Sequence, residues 1–497
     1  MTRHLLVVSM ILSLCGLSAC SKDDGEKKDP KPGGLTTQQS KPASTLTVLD
    51  QTGAPLAGAK VLIGPELGKP FAGNFLTTDA AGKFVAPADW SDAQPITIQG
   101  TGHIRVTYLA QSPSGQKFKL RGREGSGTYQ LGGTTSGFNV VDRDGVADFA
   151  IVIPAFSRAD LFSFDVSKVI SSQNDSITVV GQTVEIPSNI SLPRQRESYF
   201  LPVTLEKPEF RMYFRTTGIK KVVTLRGQFP FKQVVDELRG SQDFLSLINL
   251  FNIQGGSVKN VNVSSGGSRE TLPVNEMNFS NSRRMTAPNF KNDEVVIASS
   301  MNPKDGMLYP SDFKNLTARQ NQALQVVATD AILLTVAKRK AETQEATYND
   351  RISSAIQPFA SGALPELLPL IENPRLLASH TIQIPSTKPV GTIIPVATYA
   401  TLSRVSTKSV GTDAIESLTT EWEVFADNWV RDVALPKWPK TPAPNDGGDE
   451  ESTEPLAGQM RWGVTLLGQS PIASGSAELG PDLLETATHA THSSLDF

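Results

Sequence analysis

Apolar side chains along this chain recur mostly at every second position, in short runs. Residues 46–49, 58–63, 149–153, 176–186, 201–205, 221–225, 381–385, 391–405, 421–426 and 460–467 are such runs, and Pro, Gly, Asn and Ser punctuate the gaps. A period of two places alternate side chains on one face of a strand, so each run predicts a strand. One stretch departs from this. Phe231, Val234, Val235 and Leu238, then Phe244, Leu247, Ile248 and Phe251, follow helical spacing; Ser241 can cap the second helix and Gly255-Gly256 closes the pattern. The apolar run 323–338 fits a helix or a strand equally. The expected fold is mainly β, in multidomain β-sandwiches, with a small helical insert near 230–252 that plugs one end of a sandwich.

The first twenty residues have a pattern of their own. Arg3 and His4 precede an apolar run, 5–14, that is too short to span a bilayer, which takes about 20 apolar residues. A basic start, a short apolar core and small residues describe a secretory signal, here 1–19. The segment ends Leu17-Ser18-Ala19-Cys20, which resembles the bacterial lipobox. That resemblance implies lipidation of Cys20, and Ser21 in place of Asp implies sorting to the Gram-negative outer membrane. The expected partner is therefore the membrane itself, through the lipid anchor. Each buried methylene adds about 0.8 kcal/mol, so more than one acyl chain makes attachment durable. The chain has two cysteines, Cys15 in the signal and Cys20, so the mature protein is expected to lack disulfides and thiol chemistry. Residues 21–44 are charged and rich in Pro and Gly, with hardly an apolar side chain. They read as a disordered tether reaching roughly 25–30 Å from the lipid.

Within an expected domain 45–125, residues 45–109 carry the clearest fold signal. A β-prone run at 46–49 is followed by the turn sequence Asp50-Gln51-Thr52-Gly53-Ala54-Pro55 and by an alternating run, 58–63. In Thr77-Thr78-Asp79-Ala80-Ala81-Gly82-Lys83-Phe84, Asp79 can open an Asx turn and Gly82 can take a positive φ. The turn before Pro55, the Gly58-Ala59-x-Val61 strand and this hairpin resemble the carboxypeptidase-regulatory-like family, a transthyretin-like β-sandwich. The match covers about 65 residues and departs from the family at 96–108, which lacks its Gly-Tyr close. The resemblance implies a fold and a spacer or adhesive role, with no active site. Two further regions are expected: a β-rich centre at 126–400 and a Trp-rich β domain at 401–497.

A net charge of −3 argues against a general nucleic-acid binder, which needs a broad basic surface. No fixed-period repeat is visible, which disfavours propellers and solenoids. Candidate sites are few. Asp142, Asp144 and Asp148, around Gly145, resemble the calcium loops of secreted repeat modules, although Val140 occupies the first ligand position; the other reading is a hairpin with an Asp144-Gly145 corner. Calcium is the single cofactor these residues suggest. Lys117, Lys119, Arg121 and Arg123 alternate with apolar residues and would share one strand face, either as a contact for anionic envelope polymers or as a charged edge. Trp422, Trp429, Trp438 and Trp462 offer stacking faces for envelope polysaccharide, or core. The acidic segment 442–455 reads as a solvated loop. His489 and His492, three apart, point to opposite faces of a strand and do not suggest a metal site.

Catalytic signatures do not emerge. The chain has no His-Glu-x-x-His, Gly-x-Ser-x-Gly or phosphate-loop motif, and Ser114-x-x-Lys117 and Ser311-x-x-Lys314 lack a Lys-Thr-Gly partner. Two readings follow. One is a non-catalytic envelope lipoprotein with a binding, adhesive or structural role, contacting polysaccharide or another envelope protein. The other is an envelope enzyme acting on polysaccharide or peptidoglycan, since a pair of carboxylates brought together by the fold leaves no sequence motif.

Overall fold

The computed structural model describes residues 44–497 except 124, 126, 138–145, 163–170, 180–181, 191–197, 203–208, 241–246, 288–289, 292, 317–320, 340–350, 361, 386, 411–412, 440–458 and 472–477. The lipobox with Cys20, the tether, and Asp142 and Asp144 therefore lie outside the described residues. The fold is mainly β, with several sheets and short helices.

A twelve-stranded sheet is the common wall. From one edge its order is Met307–Leu316, Glu294–Lys304, Ile332–Arg339, Ile352–Pro358, His489–Asp496, Met460–Gln469, Ile394–Val410, Asp413–Asp427, Arg105–Gln111, Gln94–Gln99, Lys60–Ile63 and Leu76–Thr77. One face of this wall packs against the three-stranded sheet Lys83–Val85, Thr45–Asp50 and Lys117–Leu120, where Leu46, Val48, Phe118 and Leu120 meet Val61, Ile96, Ile98 and Tyr108. Farther along the same face, Val223, Leu225 and Phe229 of a seven-stranded sheet meet Ile297, Leu334 and Val336. The opposite face is covered by two small sheets. Ile382 and Val433 pack on Trp422, Trp462 and Val464, and Met285 and Leu324 pack on Val296, Ala298 and Leu333. The outer face of the seven-stranded sheet is closed by strands Glu209–Phe214, Tyr129–Ser136 and Ser268–Pro273.

A wall covered on both sides buries consecutive residues rather than alternate ones. All but the last residue of Met460–Gln469 are buried, as are eight in a row within Glu294–Lys304. The same cause explains the ambiguity of 323–338. It is two strands, Asn321–Val326 and Ile332–Arg339, and the second is buried on both faces. The helical insert contains the helix Phe231–Gly240 and a 3₁₀ turn, Ile248–Leu250.

Gly255-Gly256 does not close a helix. Both lie inside strand Asn252–Val263, where a Cβ would stand 2.4 Å from the Met277 carbonyl oxygen and 2.2 Å from that of Thr224. The two glycines permit close strand approach there.

The corner at 79–83 has the expected geometry. Asp79 Oδ1 accepts from the Ala81 and Lys83 amides at 2.9 and 2.8 Å, and Gly82 has φ +70°. Residues 105–108 then pair in parallel with 422–425, so the region 60–111 shares a sheet with the C-terminal strands. The boundary expected at 400 falls within strand Ile394–Val410. Ala43–Phe497 forms one compact unit.

Candidate functional site

Three of the four cations of the expected basic stripe, Lys119, Arg121 and Arg123, are held by carboxylates of the same chain. The strand ends at Leu120, where its core-facing residues run out, and the chain then pairs residues 121–123 with 102–104. Lys119 forms an ion pair with Asp482. Arg121 donates to the Glu423 carboxylate and to the Tyr399 hydroxyl, and that hydroxyl donates to Glu423 Oε1 at 2.9 Å. Glu423 is 1% exposed, so this pair is a buried clasp between distant parts of the chain. Glu421 lies 3.7 Å from Arg123 and 3.2 Å from Arg404. Lys119, Arg121 and Arg123 are thus engaged within the fold, while Lys117 is exposed.

Three of the four C-terminal tryptophans are core. Trp422, Trp438 and Trp462 are 3%, 3% and 0% exposed, and Trp429 packs half-buried against the same cluster. The Arg105 guanidinium lies 4.6 Å from the Trp422 ring and 4.7 Å from the Trp438 ring. Trp422 Nε1 donates to Thr107 Oγ1 at 2.8 Å, and Trp429 Nε1 to the Leu467 carbonyl at 2.7 Å. The buried rings present no face to a sugar, because they fill the space between the wall and its covering sheet.

Of the calcium candidates only Asp148 is described; its Oδ1 accepts from Gln228 Nε2 at 2.8 Å. Among the described residues no group of three His, Cys, Asp or Glu could hold a metal ion. His489 and His492 sit on one strand and serve hydrogen bonds, with Nδ1 atoms 2.8 Å from Thr488 Oγ1 and 2.9 Å from Thr465 Oγ1. Burial holds His489 down to about 4.

Among the described residues is a cavity of about 440 Å³ that was not anticipated from the sequence. Strand Glu209–Phe214 runs into Arg215 and Thr216, and Gly218, at φ +98°, reverses the chain into Gly218–Pro230. This turn brings Arg215, Lys220 and Lys221 beside Phe214, Ile219, Pro154 and Met307. Lys221 Nζ is occupied by the Lys304 and Asp305 carbonyls and by Asp305 Oδ2, at 3.1, 3.3 and 3.1 Å. Lys220 differs. Its ammonium donates to Thr216 Oγ1 and stands 6.0 Å from the Phe214 ring centroid, without a carboxylate partner among the described residues. Burial alone lowers its pKa from the usual lysine value. The available signal was three cations around a glycine turn, but only the fold adds the apolar walls from residues 154 and 307.

No protein-family model matches the chain, and no curated protein does either. Among solved structures, the major pilin subunit BcpA of Bacillus cereus is similar at 10% identity over 65% of this chain and 99% of the pilin, with a TM-score of 0.15. The major pilin SpaD of Corynebacterium diphtheriae is similar at 9% identity over 60% and 86%, with a TM-score of 0.14. A Salmonella alpha-2-macroglobulin is similar at 11% identity over 89% of this chain and 27% of that protein, with a TM-score of 0.15. Similarity at this level assigns neither a family nor an activity.

Proposed function

We propose that this chain is a lipid-anchored protein of a Gram-negative outer membrane, held through Cys20, with a non-catalytic structural or adhesive role. In this reading residues 45–125 are a module similar to the carboxypeptidase-regulatory-like sandwich, supported by the two facing sheets around Leu46 and Ile98 and by the Asp79–Gly82 corner. The sequence Leu17-Ser18-Ala19-Cys20 and the charged stretch after it support the anchor. The observation that carries the structural role is the pairing of residues 105–108 with 422–425, reinforced by Arg121 on Glu423. Residues 105–108 are thereby built into the same sheet as the C-terminal strands, and Thr45–Asp50, the first strand after the tether, packs on that sheet through Leu46 and Val48, so a pull on the tether passes into the wall through this contact.

The anchor is tested by metabolic labelling. Wild type should incorporate labelled palmitate and fractionate with outer membranes, and Cys20→Ser should incorporate none and appear unprocessed or soluble. Membrane partitioning by the mutant, with no label in wild type, would show the anchor assignment to be wrong.

A further inference from the structure

We propose that the cavity at the Arg215–Lys221 turn binds an amphipathic anion, a carboxylate or phosphate group on an apolar body. The charged end of the site is Lys220. An ammonium carries three donors; here one is used by Thr216, and the group stands 6.0 Å from the Phe214 ring centroid. A half-buried ammonium without a carboxylate is held at a desolvation cost that a bound anion would offset. Arg215, 8% exposed, lines the same wall. Asp305, on an adjoining turn, is already engaged by Lys221.

The other end of the site is apolar. Ile219 is 76% exposed although it sits in a strand, and Pro154 and Met307 line the cavity beside it. A volume of about 440 Å³ lies within the ordinary range for small-ligand sites, roughly 300–1,000 Å³. Inorganic phosphate alone would leave the apolar wall uncovered, and a neutral hydrocarbon would leave Lys220 unmatched. The combination selects ligands carrying both features.

The probes are 4-phenylbutyrate, its neutral amide and inorganic phosphate, titrated calorimetrically into the full chain carrying Cys20→Ser. Phenylbutyrate should bind at least about tenfold more tightly than the amide or phosphate, the worth of one charge-assisted hydrogen bond. Lys220→Met should lose that preference, and Lys220→Arg should retain it. Equal affinity for acid and amide, equal affinity for acid and phosphate, or no binding of the acid at millimolar concentration would each overturn the proposal. Retention of the preference in Lys220→Met would do the same. Loss of binding in Lys220→Arg together with Lys220→Met, with both folded by circular dichroism, would also count against a charge-based site. None of these outcomes depends on lipidation of Cys20.

Discussion

Trp462 is fully buried, with its indole between the wall and the covering sheet that carries Ile382 and Val433. Removing such a ring leaves a cavity the surroundings fill only partly, so Trp462→Ala should cost about 3–5 kcal/mol. Domains hold about 5–15 kcal/mol in total, so the loss should appear as a lower denaturant midpoint and faster proteolysis. Wild-type tryptophan emission should be blue-shifted and weakly quenched by iodide. Strong quenching, with a normally folded Trp462→Ala, would return these rings to the surface and to sugar binding. The sequence could show that tryptophans cluster here, but not that Arg105, far away in the chain, lies between two of them. The same distance hid the fate of the basic row. Arg121 and Glu423 are 302 positions apart, and each reads alone as an exposed charge.

At the scale of single elements, turn chemistry was legible because it is local. Asp79 and Gly82 declare their corner through a side-chain acceptor and a positive φ, both properties of the residues themselves. Gly53 and Gly82 separate conformation from contact. Both have positive φ, +89° and +70°, but a Cβ at Gly53 meets nothing within 4 Å while one at Gly82 would stand 2.4 Å from the Val48 carbonyl oxygen. Gly53→Ala should therefore cost about 1–2 kcal/mol of backbone strain, and Gly82→Ala distinctly more. Chemical denaturation of both variants measures the difference, and equal losses would contradict the close approach. Gly255-Gly256 was misread because glycine also serves to end helices, and nothing in its own stretch shows that two strands flank it. Strands buried on both faces, such as Ile332–Arg339, lose the alternation that identifies a strand.

For the whole molecule, the sequence conveyed a β protein with several sheets, because strand runs and their punctuation extend along most of its length. It did not convey that one twelve-stranded sheet collects strands from residues 60–111, 294–358 and 394–496. Pairing across such separations depends on which faces remain to be covered, and that is decided only once the local elements exist. The cation-rich cavity was equally hidden, since it takes walls from five separate strands and a turn. Residues 60–111 and the C-terminal strands are one body, joined where residues 105–108 meet 422–425 and fixed by Arg121 and Glu423. Breaking a buried pair by altering one partner costs about 3–5 kcal/mol, so Glu423→Gln should weaken both sides of the joint. Hydrogen exchange of peptides covering 94–111 and 418–427, in wild type and Glu423→Gln, tests this directly. The two peptides should be similarly protected in wild type and lose protection together in the variant. Faster exchange in 418–427 with 94–111 unchanged would mean that the N-terminal segment folds independently, contradicting a shared sheet.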